Sequence, residues 1–267
     1  MKRPILPVIT IALFLFIVGD RALRAMRRDA NADAAAVLDT TELRSSAGGA
    51  TGIRPDHAPT ETSGAATSAA AARLARLAVR RQLGRDGSVT YLDSLIVTTD
   101  SLIRRWPDRP EHALTVAIVE GGTAGYRPRL SEQVREAFAV WENSGVPLRF
   151  RIVPDTATAD ITVRWIDRFD FDRAGQTDLT WDQLGHVRRA TIALAVRTSS
   201  GFPLPDRALL SVAIHEAGHA IGLPHSADSN DVMFPATRTG ALSERDRRTA
   251  VLLYQLPAGS IRDSVRP

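Results

Sequence analysis

Residues 215–225 read HEAGHAIGLPH, and the spacing inside this stretch decides what fold and chemistry the rest of the chain must support. The pattern is H-E-x-x-H-x-x-G-x-x-H, with five fixed positions. At about 5% frequency per residue type, it arises by chance in roughly one chain in ten thousand of this length. On an α-helix, residues four apart lie nearly one above the other, so His215 and His219 project from one face. Two imidazoles so placed can chelate a metal at Zn–N distances of about 2.0–2.1 Å. Glu216 follows the first ligand and emerges beside the metal, where a carboxylate can take a proton from a water held there. Gly222 ends the helix, because glycine reaches the left-handed conformation at little steric cost, and Pro224 discourages continuation. The chain therefore swings back, and His225 arrives as a third ligand from outside the helix. Three neutral imidazoles leave a fourth position open, which marks a catalytic rather than a structural zinc. A core helix that merely carries histidines is the bland alternative. It fits poorly, since three of the chain's six histidines fall within this one stretch.

The stretch resembles the extended motif of the metzincin metallopeptidases. That family sets a methionine in a tight turn beneath the metal, and Asp231-Val232-Met233-Phe234-Pro235 follows at a suitable distance, so Met233 is the matching position. The resemblance implies an apolar floor under the histidines, not a ligand. Some metzincins carry a metal-reaching tyrosine two residues later; the matching position here is Pro235, so that ligand is expected to be absent. HEAGHAIGLPHS together with VMFP is most similar to the matrixin branch. Ala241-Leu242-Ser243-Glu244-Arg245-Asp246 opens a last helix, with Ser243 and Asp246 in capping-box positions. Val251, Leu252 and Tyr254 supply apolar surface for docking it against the motif helix.

Upstream, the pattern is that of a compact α/β (α+β) domain. Leu114–Ile118 reads as a strand closed by Gly121-Gly122. Ser131–Trp141 reads as a helix with Val134, Phe138 and Trp141 on one stripe and Glu132 and Arg135 outside. Leu148–Val153 and Ile161–Trp165 alternate as strands do, Ala190–Val196 is more continuously apolar, and Ser211–Gly222 is the motif helix. This order resembles the matrixin catalytic domain over roughly residues 104–255: a mixed twisted sheet, an active-site helix, a Met-turn and a C-terminal helix. The resemblance makes Ala190–Val196 the expected sheet edge on which an extended peptide adds as another strand. Animal matrixins also hold a second, structural zinc through upstream histidines. Only His186 occurs between residues 150 and 200, so that site is expected to be missing. Asp167, Asp170 and Asp172 are a weak candidate for the family's calcium, since closely spaced acids more often form a solvated turn.

The N-terminal part concerns location. Lys2-Arg3 precede an apolar run from Ile5 to Val18, so residues 1–28 read as a signal peptide or an N-terminal membrane anchor. The nearest A-x-A, Ala30-Asn31-Ala32, lies far from the apolar core and favours the anchor. Residues 29–72 read as a flexible Ala/Ser/Thr-rich linker, 73–103 as a pro-segment or an N-terminal extension, 104–258 as the catalytic domain and 259–267 as a tail. The chain has no cysteine, so disulfides, thiol catalysis and the thiolate switch of matrixin zymogens are all excluded. Its net charge of +4 does not imply nucleic acid. Residues 1–30 hold six Lys/Arg against two Asp, which leaves 28 of the 34 basic and 28 of the 30 acidic residues for the remainder.

These readings lead to an extracytoplasmic zinc endopeptidase, either membrane-anchored or secreted. One catalytic zinc would sit on His215, His219 and His225, with Glu216 as general base and acid and a polypeptide as substrate. The rival is a membrane-tethered scaffold of the same kind that holds peptides without turnover.

Overall fold

The computed structural model describes residues 61–97, 101–109, 112–237 and 239–262. The apolar run at Ile5–Val18 and most of the expected linker lie outside these residues. Among the described residues no helix is long and apolar enough to cross a membrane.

The first described element is helix α1 (Glu61–Asp86), which replaces linker with helix over residues 61–72. The paucity of large side chains suggested a spacer there. The same run is rich in alanine, however, and alanine has the highest helix propensity. A short helix α2 (Ser94–Val97) and strand β1 (Leu102–Ile103) follow. The apolar core does not begin at residue 104. Val79, Leu83, Tyr91, Leu92, Leu95 and Ile103 are buried in the same cluster as the residues of the motif helix. Nor are residues 259–260 tail: they form β7 (Gly259–Ser260), which pairs antiparallel with β1, and Ile261 behind it is 2% exposed.

The main sheet contains β2 (Leu114–Ile118), β3 (Phe150–Val153), β4 (Ile161–Ile166), β5 (Gly175–Trp181) and β6 (Val187–Ala195) in the order β3-β2-β4-β6-β5. Three of the four pairings run parallel; the fourth, β5 with β6, is antiparallel and makes β5 one edge of the sheet, with β3 at the other. This corrects the expectation that Ala190–Val196 is the edge: β6 is interior, hydrogen-bonded to β4 on one side and β5 on the other. Its continuous apolar run fits that position, since strands covered on both faces lose their alternation. β5 carries mostly polar residues, and Asp178, Thr180 and Trp181 are exposed, as an edge strand tolerates.

Two long helices pack together beneath the sheet. Helix α3 (Pro128–Glu142) buries Val134, Phe138 and Trp141 as its stripe requires, and it begins three residues early because Pro128 suits the first turn. Helix α4 (Asp206–Ala220) carries the histidine motif. It too starts earlier than expected, with Asp206 as an acid in its first turn. The buried Trp141 indole donates to the Ile214 carbonyl at 2.8 Å, fixing the two helices in register. Helix α5 (Glu244–Gln255) opens with the expected capping box: Asp246 N–H donates to the Ser243 hydroxyl at 3.0 Å and Ser243 N–H to the Asp246 carboxylate at 2.9 Å.

Candidate metal centre

The end of α4 is what brings the third histidine home. Gly222 has φ +103, Gly222 N–H donates to His219 carbonyl at 2.9 Å and Leu223 N–H to Gly218 carbonyl at 3.0 Å. That pair of bonds around a left-handed glycine is the Schellman ending, and it reverses the chain within one turn. His225 then faces back toward the helix. The ring centroids of His215 and His219 lie 4.7 Å apart, those of His215 and His225 5.3 Å, and those of His219 and His225 4.6 Å.

The ligand nitrogens of the three rings all fall within 4.8 Å of one another. Backbone carbonyls select which nitrogen faces inward. His215 Nδ1–H donates to Val232 carbonyl at 2.7 Å and His219 Nδ1–H to Leu223 carbonyl at 2.8 Å, which turns each Nε2 lone pair toward the centre. His219 Nε2 consequently stands 3.1 Å from His225 Nε2. Two ring nitrogens so close need a proton or a cation between them. Nitrogens about 2.0–2.1 Å from one tetrahedral ion would be about 3.3 Å apart, close to the spacing of the His219–His225 pair.

Met233 is 0% exposed, and its sulfur lies against Gly218 of the motif helix. Burial holds the His215 imidazole below the usual histidine range, opposed by its bond to Val232.

Glu216 is buried beside the histidines, and its carboxylate lies against Gly175 of the edge strand, where any Cβ would overlap it. The Thr177 hydroxyl sits 2.6 Å from its Oε2 and 3.0 Å from its carbonyl oxygen. Burial pushes the carboxyl up to about 7, while the Thr177 bond and the nearby Arg173 pull it down. Gly175 and Thr177 were not legible beforehand. The one available signal was the period-two run Thr177, Leu179, Trp181 among polar neighbours.

The other residues singled out from sequence lie elsewhere. His186 approaches Asp182 at 3.6 Å, and Asp167 is engaged by Arg197 at 3.2 Å. Asp167, Asp170 and Asp172 all stand exposed in the β4–β5 loop, and His57 is outside the described residues.

With this geometry in place, comparison with known sequences is decisive. The family model described as Matrixin matches residues 105–255. The chain belongs to the matrixin family. This matrixin is 34% identical to human (Homo sapiens) Matrix metalloproteinase-15 over 149 residues, covering 48% of this chain and 22% of that protein. It is 33% identical to Rattus norvegicus Macrophage metalloelastase over 135 residues, covering 46% and 28% respectively. For Caenorhabditis elegans Matrix metalloproteinase-C the identity is 28% over 164 residues, covering 53% and 25%. The chain thus spans about a quarter of the length of these relatives. Membership points to zinc metallopeptidase chemistry, and the triad of His215, His219 and His225 could hold a metal ion.

The raised Glu216 pKa carries a test in the metal-free matrixin. A carboxyl that ionises near 7 is largely protonated at pH 6 and ionised at pH 8. A dication arriving beside it favours the ionised form, so uptake at pH 6 expels its proton. Calorimetric zinc titration in two buffers of different ionisation enthalpy is expected to show wild type releasing up to about one proton more than Glu216→Gln at pH 6, with the difference gone at pH 8. Equal proton release at both pH values would rule this out.

Proposed function

We propose that this matrixin is a zinc-dependent endopeptidase that hydrolyses peptide bonds, with His215, His219 and His225 holding the metal and Glu216 acting first as general base and then as general acid. The observation that carries this reading is the convergence of one ring nitrogen from each of three histidines with a buried carboxylate that lies against the edge strand β5. When bound there, zinc supplies a Lewis acid that makes water more acidic and polarises a carbonyl.

The chain's own residues do the rest. Glu216 accepts a proton at its carboxylate and hands it to the departing amine, work suited to a carboxyl tuned toward neutral pH. Thr177 and the bare Cα of Gly175 limit where that carboxylate can swing. Val232 and Leu223 hold the two helix histidines in the tautomer that presents Nε2. As an edge strand, β5 offers an extended polypeptide a place to add as a sixth strand. Residues 1–28 would deliver this domain to or across a membrane, a role supported by Lys2-Arg3 and the apolar run behind them.

The test is digestion of a peptide library by the purified full chain, read by mass spectrometry, alongside elemental analysis. Expected are one zinc per chain and internal cleavages that a hydroxamate chelator abolishes. A zinc-loaded protein that leaves the library and unfolded casein intact would overturn the reading.

A further inference from the structure

The segment ahead of the family match, residues 73–103, can be read in two opposite ways: as a pro-segment to be cut away, or as a lasting part of the domain. We propose that it is a permanent brace of the metal centre, in which Tyr91 is a positioning residue that holds the Met-turn, and through it His215, by way of Asp246.

The contacts form one continuous series. Tyr91 is 3% exposed, and its hydroxyl donates to Asp246 Oδ1 at 2.9 Å. Its backbone N–H donates to Thr249 Oγ1 at 3.3 Å, so the tyrosine is tied to α5 at two points. Asp246 is 0% exposed, and its other oxygen accepts from Val232 N–H at 2.8 Å and from Ser243 N–H at 2.9 Å. The carbonyl of the same residue, Val232, accepts the Nδ1–H of His215 at 2.7 Å. Tyr91, Asp246, Val232 and His215 are therefore linked by three successive hydrogen bonds, ending on a metal ligand.

A buried carboxylate oxygen that loses its donor is costly, and the chain relieves that cost by re-aiming its neighbours. Here the neighbour is the turn that orients His215. The segment is also anchored by apolar burial, since Leu83 and Leu92 are both 0% exposed in the same core as Leu253 and Tyr254. Its ties run to α5 and to β7, whereas a blocking segment has to reach the open side of the histidines. The sequence offers no thiol for such a block.

This inference takes the metal site from the reading above, so its test reads the metal directly. In the zinc-loaded full chain, Tyr91→Phe removes one hydroxyl and keeps the packing. Zinc release to a chromophoric chelator is expected to accelerate about tenfold, and the visible bands of the cobalt-substituted protein to shift. A merely structural tyrosine would lower the melting temperature and move neither. Release at the wild-type rate with an unchanged cobalt spectrum would overturn the proposal, whether or not the protein cleaves peptides.

A second arm places a site for a sequence-specific protease between Val97 and Ser101 of the full chain. After cutting, the N-terminal piece is expected to stay bound through gel filtration and zinc retention to persist. Loss of the piece with a gain in peptide cleavage would identify a pro-segment instead.

Discussion

Replacing Glu216 by glutamine is expected to lower kcat/KM toward a peptide substrate by about 10²–10⁴-fold while one zinc stays bound per chain. In barrier terms that is about 3–5 kcal/mol. The amide keeps the shape of the side chain and can still accept from the Thr177 hydroxyl, so the contact with Gly175 and the position of α4 are preserved. What disappears is the capacity to hold a proton. The three histidines are untouched, which predicts an unchanged zinc content by elemental analysis and an unchanged pattern of ring contacts. A variant that still cut casein at the wild-type rate would remove Glu216 from the chemistry. A variant that lost its zinc would instead make the carboxylate part of metal retention, a different role from the one argued here.

Gly222→Ala is expected to be among the most damaging glycine-to-alanine changes in the domain. At φ +103 an L-residue is strained by about 1–2 kcal/mol before any neighbour is considered. Here the added Cβ would also run into the Arg104 carbonyl oxygen, a backbone atom that cannot swing aside. Arg104 precedes the strongly held Arg105, whose guanidinium donates to the Leu256 carbonyl at 2.8 Å, so relief by moving the chain disturbs a second anchor. A total of about 3–5 kcal/mol follows, in the range reserved for named backbone and packing faults. The proper control is Gly121→Ala, where φ is +79 and nothing lies within 4 Å of the added carbon. Urea unfolding of the zinc-loaded proteins is expected to show a loss of about 1 kcal/mol for the control and several times that for Gly222→Ala. Because Gly222 also sets the return of His225, zinc affinity falls with it. Equal losses for the two variants would show that conformation alone, without the Arg104 contact, sets the cost.

How much of this was legible in the sequence depends on the range of the interaction involved. The histidine triad, Gly222 and the capping box of Ser243 and Asp246 are all written within a few residues of their partners, and local geometry converts spacing directly into position. Met233 became legible only through the family resemblance, since a methionine beneath a turn has no spacing of its own. The edge strand β5 escaped because its residues are polar, and its outward neighbour is solvent. Without a buried stripe, periodicity has little to register. Helix α1 escaped for the opposite reason: alanine signals helix by propensity while contributing almost nothing to an apolar pattern. Thr177 with Glu216, and Tyr91 with Asp246, join residues 39 and 155 positions apart. No local rule reaches across such separations.

The closing turn of α4 has one more consequence. Its last carbonyls are claimed by groups from widely separated parts of the chain: Ala220 by the Trp106 indole at 2.8 Å and Ile221 by the Tyr254 hydroxyl at 2.9 Å, in addition to the two bonds around Gly222. Helix ends ordinarily fray first and give up their amide protons early. This one is stitched at its tip to both flanks of the domain, so the amides of residues 217–223 are expected to exchange with solvent only when the whole core opens. On the zinc reading proposed above, the helix end that carries His219 would outlast the ion. Metal would then leave and return without the scaffold having to be rebuilt, in contrast to small zinc modules whose folding and loading are a single event.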